Sequence, residues 1–162
     1  MTSSDTAPAA HEPRIPPRWF IRTAWVVHRA LYTVSGGRVG LRAPSPTVYG
    51  MMRLHTTGRL SGEARVAIVA YIEDGRDLVT LAMNGWDDPP PAWWLNLRAG
   101  PAASVDLPDG ARDVIAREAT GAERERLWAL WRTLDGGEDL DAHAARRSRP
   151  TPVVVLSPAD AR

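Results

Sequence analysis

Short apolar runs separated by turn residues dominate the middle and the end of the chain. The runs cover residues 47–56, 64–73, 77–83, 104–107, 112–117 and 153–156. Asp74-Gly75 follows the second run and Pro108-Asp109-Gly110 follows the fourth, and both are signals for β-hairpins. Strands and helices do not alternate regularly along the sequence, which disfavours a doubly wound nucleotide-binding fold. We therefore predict an α+β fold in which about six mostly antiparallel strands form a closed or half-closed barrel with flanking helices.

Three segments that alternate with the strands have the spacing of helices. Residues 91–97 begin with Pro91, whose missing N–H costs nothing at the first position of a helix. Residues 120–134 open with Thr120 and Glu123 at the spacing of a capping box, and residues 139–147 form a further short helix. The apolar face predicted for the longest of these helices consists of Leu127, Leu130, Trp131 and Leu134.

The N-terminal part of the chain differs in composition from the rest. Residues 1–17 place four prolines among small polar residues, which predicts a flexible lead-in. Residues 18–37 predict a basic amphipathic helix that stops at Gly36-Gly37. Such an N-terminal helix either packs on the body of the domain or lies on a membrane surface, and both alternatives stay open. Residues 38–162 are predicted to form the barrel domain.

Composition narrows the chemistry that the chain can perform. The absence of cysteine excludes disulfides, thiolate metal sites and a cysteine nucleophile. All 20 basic residues are arginines, so guanidinium groups or backbone amides must bind any phosphate or carboxylate, and a Schiff-base lysine is excluded. A net charge of +1 gives no support for nucleic-acid binding. No secretory signal or membrane-spanning run is visible, so we expect a cytoplasmic protein, with a peripheral membrane contact left open.

The segment 54–65, between the first two strands, combines glycines, hydroxyl groups and arginines. Gly58 and Gly62 allow the backbone to bend until several N–H groups converge as a nest for an anion. Arg59 and Arg65 can add bidentate contacts to a phosphate. The Walker and dinucleotide-binding patterns are both absent. On these residues alone, an anion-binding loop and an ordinary hairpin with solvated arginines both stay open.

The segment 83–97 follows a strand and enters a helix. Asn84 and Gly85 offer an amide and a bare backbone to a planar ring system. Trp86, Trp93 and Trp94 are flat surfaces that either line a pocket for an aromatic ligand or belong to the core. Acid–base and metal chemistry are weakly represented, because the four histidines lack ligand spacing and no hydrolase motif occurs. We therefore predict no metal site.

In this order and separation, the segments resemble a known family. The pattern Thr-Thr-Gly-Arg-x-Ser-Gly-x-x-Arg at 56–65 resembles the coenzyme-binding loop of the deazaflavin-dependent nitroreductase family, which are split β-barrel flavin/deazaflavin oxidoreductases. The similarity continues through residues 71–75, Asn84-Gly85, residues 91–97 and residues 146–155. It covers roughly residues 38–158. Neither main motif alone would be specific.

The resemblance implies an FMN-binding-like split barrel that binds coenzyme F420, a phosphorylated and polyglutamylated 8-hydroxy-5-deazaflavin. It also implies hydride transfer to an organic acceptor such as a quinone, an enone or a nitro compound. The implied coenzyme contacts are Thr56, Thr57, Gly58, Arg59, Ser61, Gly62 and Arg65 for the phosphate and acidic tail, and Met83, Asn84 and Gly85 beside the ring. Trp93 is expected at the exposed face of the ring, near the acceptor. His143, the only polar aromatic residue of segment 134–145, is the second candidate catalytic residue.

The chain departs from the best-known members of this family in ways that bear on the acceptor. Leu60 and Asn84 stand where some members carry a basic residue, and segment 134–145 lacks the tyrosines that line the pocket of the nitroimidazole-reducing member. Quinones or other conjugated carbonyl compounds are therefore the favoured small-molecule acceptors. An FMN-binding reductase and a non-catalytic coenzyme carrier or membrane-surface protein are the alternatives. We expect a monomer or a homodimer that binds no nucleic acid.

Overall fold

The computed structural model describes residues 40–135 and 137–159, and in them six strands form a closed barrel in the order β1-β2-β3-β6-β5-β4. The strands are β1 (Gly50–Thr57), β2 (Ala64–Asp74), β3 (Asp77–Leu81), β4 (Ala102–Leu107), β5 (Gly110–Glu118) and β6 (Val153–Pro158). The helices are α1 (Ala92–Ala99), α2 (Gly121–Arg132) and α3 (Leu140–Ala144), the last preceded by a 3-10 turn at Gly137–Asp139. Neighbouring strands are all antiparallel, which confirms the predicted α+β split barrel. The predicted lead-in over 1–17 and the N-terminal helix over 18–37 lie outside the described residues.

Both predicted hairpins form, although the first is made differently from the prediction. Asp74 pairs with Asp77, so the loop consists of Gly75-Arg76 and Asp74 belongs to the strand. Gly75 has a φ of 65°, which glycine adopts without a steric penalty. A positive φ at the first of two loop residues is the type II′ arrangement, whose twist matches that of the strands. In the second hairpin, Pro108-Asp109 joins the paired ends of β4 and β5.

Strands β3 and β6 are buried on both faces, and this explains their nearly uninterrupted apolar sequences. Along β6, Val154 and Leu156 belong to the cluster inside the barrel, whereas Val153 and Val155 belong to a second cluster with α2. The side chains that α2 contributes to this second cluster are Leu127, Trp128 and Trp131. A strand covered on both faces needs no alternation of apolar and polar residues. The barrel is thus anchored by its β3 and β6 side to α2.

Helix α2 begins without the predicted capping box. Thr120 makes no side-chain cap hydrogen bond, and the Glu123 carboxylate instead accepts two hydrogen bonds of 2.6 Å from the Arg117 guanidinium. Arg126 binds Asp74 in the same two-point manner, at 2.9 and 2.7 Å. The Arg117 guanidinium offers the Glu123 carboxylate two parallel charge-assisted hydrogen bonds, whereas a capping box offers it one bond from a backbone amide, which accounts for the difference. The charged residues of α2 therefore connect the helix to strands and do not pair only with one another.

These two ion pairs should make the stability of the fold acid-sensitive. The hydrogen bonds from Arg126 and Arg117 hold the pKa values of Asp74 and Glu123, respectively, below their usual range. A carboxyl group with a lowered folded pKa contributes stability that is present above its unfolded pKa and is lost as the pH falls through the folded value. We expect the urea midpoint to fall below about pH 4, and the double variant Asp74→Asn/Glu123→Gln to flatten that fall. Because both pairs are solvent-accessible, their contribution at neutral pH, and therefore the part of the acid loss that the double variant removes, should be small but measurable. If the urea midpoint of the double variant fell below pH 4 as steeply as that of the wild type, this assignment would be contradicted.

Candidate active site

The three segments that contain the predicted site residues lie toward one end of the barrel. Strands β1 and β3 run in the same direction because each is antiparallel to β2, and β6 runs in the opposite direction because it is antiparallel to β3. The loop after β1, the loop after β3 and the segment before β6 therefore share an end. They correspond to residues 56–65, 83–97 and 134–152 of the sequence.

The loop after β1 is a tight bend whose backbone is already hydrogen-bonded. The amide of Gly58 donates to the carbonyl of Glu63 at 2.8 Å, and the amide of Gly62 donates to the carbonyl of Gly58 at 2.7 Å. The Glu63 amide donates to Ser61 Oγ at 3.3 Å. A Cβ on Gly58 would lie 2.8 Å from Ser61 Oγ and 3.2 Å from the Glu63 carbonyl oxygen, so a larger residue there would displace the Ser61 side chain. The bend itself uses these amides, which favours the hairpin alternative over an anion nest for them.

Helix α1 fixes this loop through Asn96. The buried Asn96 side chain accepts a hydrogen bond from the Arg59 amide at 3.1 Å and donates one to Thr56 Oγ1 at 3.2 Å. Asn96 and Thr56 are only 5% and 6% exposed. A buried side-chain amide that satisfies both neighbours holds them strongly, since breaking the pair would leave polar groups without water. The buried Thr56 therefore helps to hold the loop through its hydrogen bond with Asn96, whereas Thr57, the last residue of β1, is exposed to solvent.

The two arginines of the loop differ in their surroundings. Arg65 donates to the Glu63 carboxylate at 2.6 Å and to Ser61 Oγ at 3.3 Å. Arg59 is exposed, and its guanidinium has no ion pair or hydrogen bond within residues 40–135 and 137–159. Arg59 is therefore available to an anion directly, whereas Arg65 shares its charge with a neighbouring carboxylate.

The loop after β3 presents Asn84 and Gly85 at the tip of a tight turn. The Asp87 amide donates to the Asn84 carbonyl at 3.1 Å. Gly85 and Trp86 have φ values of 59° and 66°, and two positive central φ angles define a type I′ turn. Asn84 and Gly85 are exposed, whereas Met83 is partly buried against the cluster under α2.

His143 lies against this turn. Its imidazole stacks on the Trp86 ring, with the ring centroids 5.5 Å apart and the planes 19° from parallel. Its Nδ1 is 2.8 Å from the Asp139 carbonyl oxygen. Because a carbonyl only accepts, Nδ1 carries a hydrogen, and Nε2 is the nitrogen left to exchange a proton with a ligand.

Trp93 is more enclosed than its expected role beside an acceptor would suggest. It is 9% exposed and packs with Trp94 and Leu97 in the cluster inside the barrel. The Trp93 and Trp94 rings meet edge to face at 6.5 Å. Little of the Trp93 surface is therefore open to an acceptor, and its catalytic role stays a prediction.

The site residues fall into two groups with separate contacts. Residues 56–65 contact α1, whereas Met83, Asn84, Gly85 and Trp86 lie with His143 on the side of α2 and α3. No hydrogen bond or ring contact joins the two groups within the described part of the chain. They share an end of the barrel, and the loop after β3 leads into α1, whose Asn96 contacts the loop after β1.

Comparison with known proteins identifies the family. The family model described as F420H(2)-dependent quinone reductase matches residues 25–158. The chain belongs to this family. The F420H(2)-dependent quinone reductase Rv1261c of Mycobacterium tuberculosis is 30% identical over 146 residues, which are 86% of this chain and 96% of that protein.

Two solved structures carry the same fold at similar identity. One, described as a domain-swapped dimer, is 26% identical with a TM-score of 0.63, and the match covers 84% of this chain and 99% of that one. The other, an F420-H2 dependent reductase, is 27% identical with a TM-score of 0.59, and the match covers 72% and 97% of the two chains. As a member of the F420H(2)-dependent quinone reductase family, the protein is an oxidoreductase whose coenzyme is F420.

The side chains present fit this coenzyme. F420 carries a phosphate and an acidic tail, and Arg59 and Arg65 supply guanidinium groups at the exposed loop after β1.

The described residues hold no group of three or more potential metal ligands, and none of their helices is long and apolar enough to cross a bilayer. Burial raises the pKa of Tyr71 to about 12, so this phenol stays neutral at physiological pH.

Two residues that shape the site, Asn96 and Arg147, are absent from the set predicted from the sequence. Asn96 is the one polar residue among the inward-facing residues of α1, and a lone amide on such a face is the signal by which it is recognisable. The Arg147 guanidinium is 8% exposed and donates to Thr151 Oγ1 at 2.7 Å and to the carbonyls of Ala82 and Asp88 at 3.3 and 3.4 Å. Arg147 thereby spans both ends of the loop after β3, but nothing in the sequence distinguishes it from neighbouring arginines.

Proposed function

We propose that this member of the F420H(2)-dependent quinone reductase family reduces a quinone-like or other conjugated carbonyl acceptor at the end of the barrel that the three site segments share. The observation that carries the proposal is the shared end. There the strand directions place the arginine-bearing loop, the Asn84-Gly85 turn and His143. The relatives named as quinone reductases support the choice of acceptor class. Enones and nitro compounds are further acceptors to be assayed.

In this proposal the protein binds and orients, because the coenzyme supplies the reactive group. When bound, reduced F420 provides a hydride, and a quinone becomes a hydroquinone by accepting that hydride and one further proton. Arg59 and Arg65 hold the phosphate and acidic tail. Thr57, Ser61 and the bend formed by Gly58 and Gly62 shape the space around them.

His143 is proposed to supply a hydrogen bond to the acceptor. The Asp139 carbonyl fixes the hydrogen on Nδ1, so a protonated imidazole directs its second N–H from Nε2 toward a ligand. Negative charge builds on a quinone oxygen as hydride arrives, and a positioned donor stabilises that charge. Asn84 and Gly85 are proposed to border the ring of the coenzyme, with Met83 beneath them.

The two loop arginines provide the test of the coenzyme site. We expect Arg59→Ala to weaken the binding of oxidised F420 about 10-fold and Arg65→Ala about 5-fold, measured by quenching of deazaflavin fluorescence. The smaller loss at Arg65 follows from its existing ion pair with Glu63. Arg112→Ala is the matched control, because Arg112 lies beside the turn at the opposite end of the barrel. Equal affinities for the wild type and both loop variants would refute the assigned loop.

The same titration separates the alternative functions. Tighter binding of FMN than of F420 would favour an FMN-dependent reductase. Binding of F420 with no oxidation of its reduced form by menadione, an enone or a nitro compound would favour a coenzyme carrier. Association with anionic vesicles that survives loss of both loop arginines would favour a membrane-surface protein.

We also propose that the protein is a homodimer. Val66 on β2 and Ile115 on β5 are 54% and 45% exposed, and both lie on the outside of the barrel. The related structure described as a domain-swapped dimer supports an assembly of two chains. Light scattering coupled to size-exclusion chromatography should give a mass of two chains, and a single-chain mass at micromolar concentration would reject the homodimer.

A further inference from the structure

Trp86 has a backbone conformation that a bulky residue rarely adopts. Its φ of 66° makes it the one residue other than glycine with a positive φ in the described ranges. The left-handed region is sterically unfavourable for residues with a Cβ, and strain of this kind persists only where the surroundings impose it. Strained residues concentrate at functional sites, so this residue calls for an explanation.

The surrounding structure imposes this conformation from both ends of the loop. Arg147 contacts the carbonyls of Ala82 and Asp88, and the Asp88 carboxylate accepts a hydrogen bond of 2.6 Å from the Ser148 amide. The loop is thus fixed where it leaves β3 and again before α1. The type I′ turn between these two points leaves Trp86 in the left-handed region, with its ring on His143.

Core packing accounts for only part of the Trp86 ring, which is partly buried against the cluster under α2. Among the five tryptophans that the structure describes, Trp93, Trp94, Trp128 and Trp131 are at most 9% exposed, whereas Trp86 is partly exposed. The centroid separation of 5.5 Å is also too long for full overlap of nearly parallel rings. With planes about 3.7 Å apart, the rings are displaced sideways by about 4 Å. The imidazole therefore covers only part of the indole face.

We propose that Trp86 is the platform on which a flat acceptor stacks and that it determines the preference for planar acceptors. A planar quinone on the part of the indole face beside His143 lies in the same layer as the imidazole. A quinone oxygen in that layer can accept a hydrogen bond from Nε2–H in the plane of the imidazole, which is the favourable direction. A puckered enone gains less from such a surface, because it cannot lie flat on an indole. This inference rests on the proposed function and adds to it the residue that selects the acceptor.

The test compares three variants in the full-length protein. Trp86→Gly and Trp86→Asn remove the ring, and both residues tolerate a left-handed backbone, so the turn is retained. Trp86→Phe keeps an aromatic surface. The readouts are the ratio of kcat/KM for menadione to that for 2-cyclohexen-1-one, and the Kd of menadione without coenzyme, measured by calorimetry.

We expect the acceptor ratio to fall about 10-fold in the Gly and Asn variants and to recover mostly in the Phe variant, with a parallel loss in menadione affinity. The Kd of F420 should stay within about twofold, because the ring is placed on the acceptor side. An unchanged ratio and unchanged menadione affinity would overturn the platform, as would a loss of F420 affinity alone. If the wild type does not oxidise reduced F420 with either acceptor, the proposed function fails, and the menadione affinities still decide whether Trp86 binds a planar ring.

Discussion

Replacing His143 by phenylalanine should lower kcat with menadione about 100-fold, the lower range for removal of a positioned proton donor. Phenylalanine retains a flat ring against Trp86, so the stacked pair is preserved while the proton-donating nitrogen is lost. The affinity for F420 should change by less than about twofold, because the Nε2 hydrogen bond is assigned to the acceptor. Steady-state kinetics with reduced F420, together with the binding titration, separate these two quantities.

Two further variants make the His143 experiment specific. His143→Gln keeps a side-chain N–H donor and should recover part of the lost rate. His55→Gln is the matched control, because His55 lies on the outside of the barrel with its Nε2 2.9 Å from an Asp106 carboxylate oxygen. A His143→Phe enzyme with wild-type kcat, or an equal loss in His55→Gln, would remove His143 from the reaction.

The barrel was largely predictable because its hairpins are encoded locally. Asp74-Gly75 and Pro108-Asp109-Gly110 each separate two β-rich runs, and the structure pairs those runs as expected. The order of the strands depends on contacts far apart in the sequence, such as β3 beside β6, and no local pattern reports them. The capping box at Thr120 failed for a different reason, because Glu123 pairs with Arg117, six residues earlier in β5, and not with the start of the helix.

The composition of the site was predictable, but its internal geometry was not. The glycines and arginines of the loop predict a bend that can bind an anion, and the structure confirms the bend. Which amides remain open depends on where Ser61 and Glu63 fold back, which the sequence does not determine. Likewise, three tryptophans in one segment predict a flat surface, but only burial in three dimensions assigns Trp93 and Trp94 to the core and leaves Trp86 partly exposed.

Asn96→Ala should weaken the binding of F420 about 30-fold and lower the free energy of unfolding by about 2 kcal/mol, although Asn96 itself is buried away from the loop surface. The substitution leaves the Arg59 amide and Thr56 Oγ1 without their shared partner. The loop that carries Arg59 then loses its attachment to α1, and binding must restore that order at a cost in affinity. Fluorescence titration gives the affinity, and urea denaturation gives the stability.

Thr56→Val distinguishes positioning by Asn96 from direct contact by Thr56. Valine has the shape of threonine without the hydroxyl group, so it removes one of the two hydrogen bonds of Asn96 and leaves the bond to the Arg59 amide. We expect this variant to lose stability, by about 1 kcal/mol, while its F420 affinity changes by less than about threefold. A loss of affinity in Thr56→Val as large as that in Asn96→Ala would instead place the Thr56 hydroxyl on the coenzyme. In that case Asn96 would act on affinity by holding the Thr56 hydroxyl in place and not by holding the Arg59 amide.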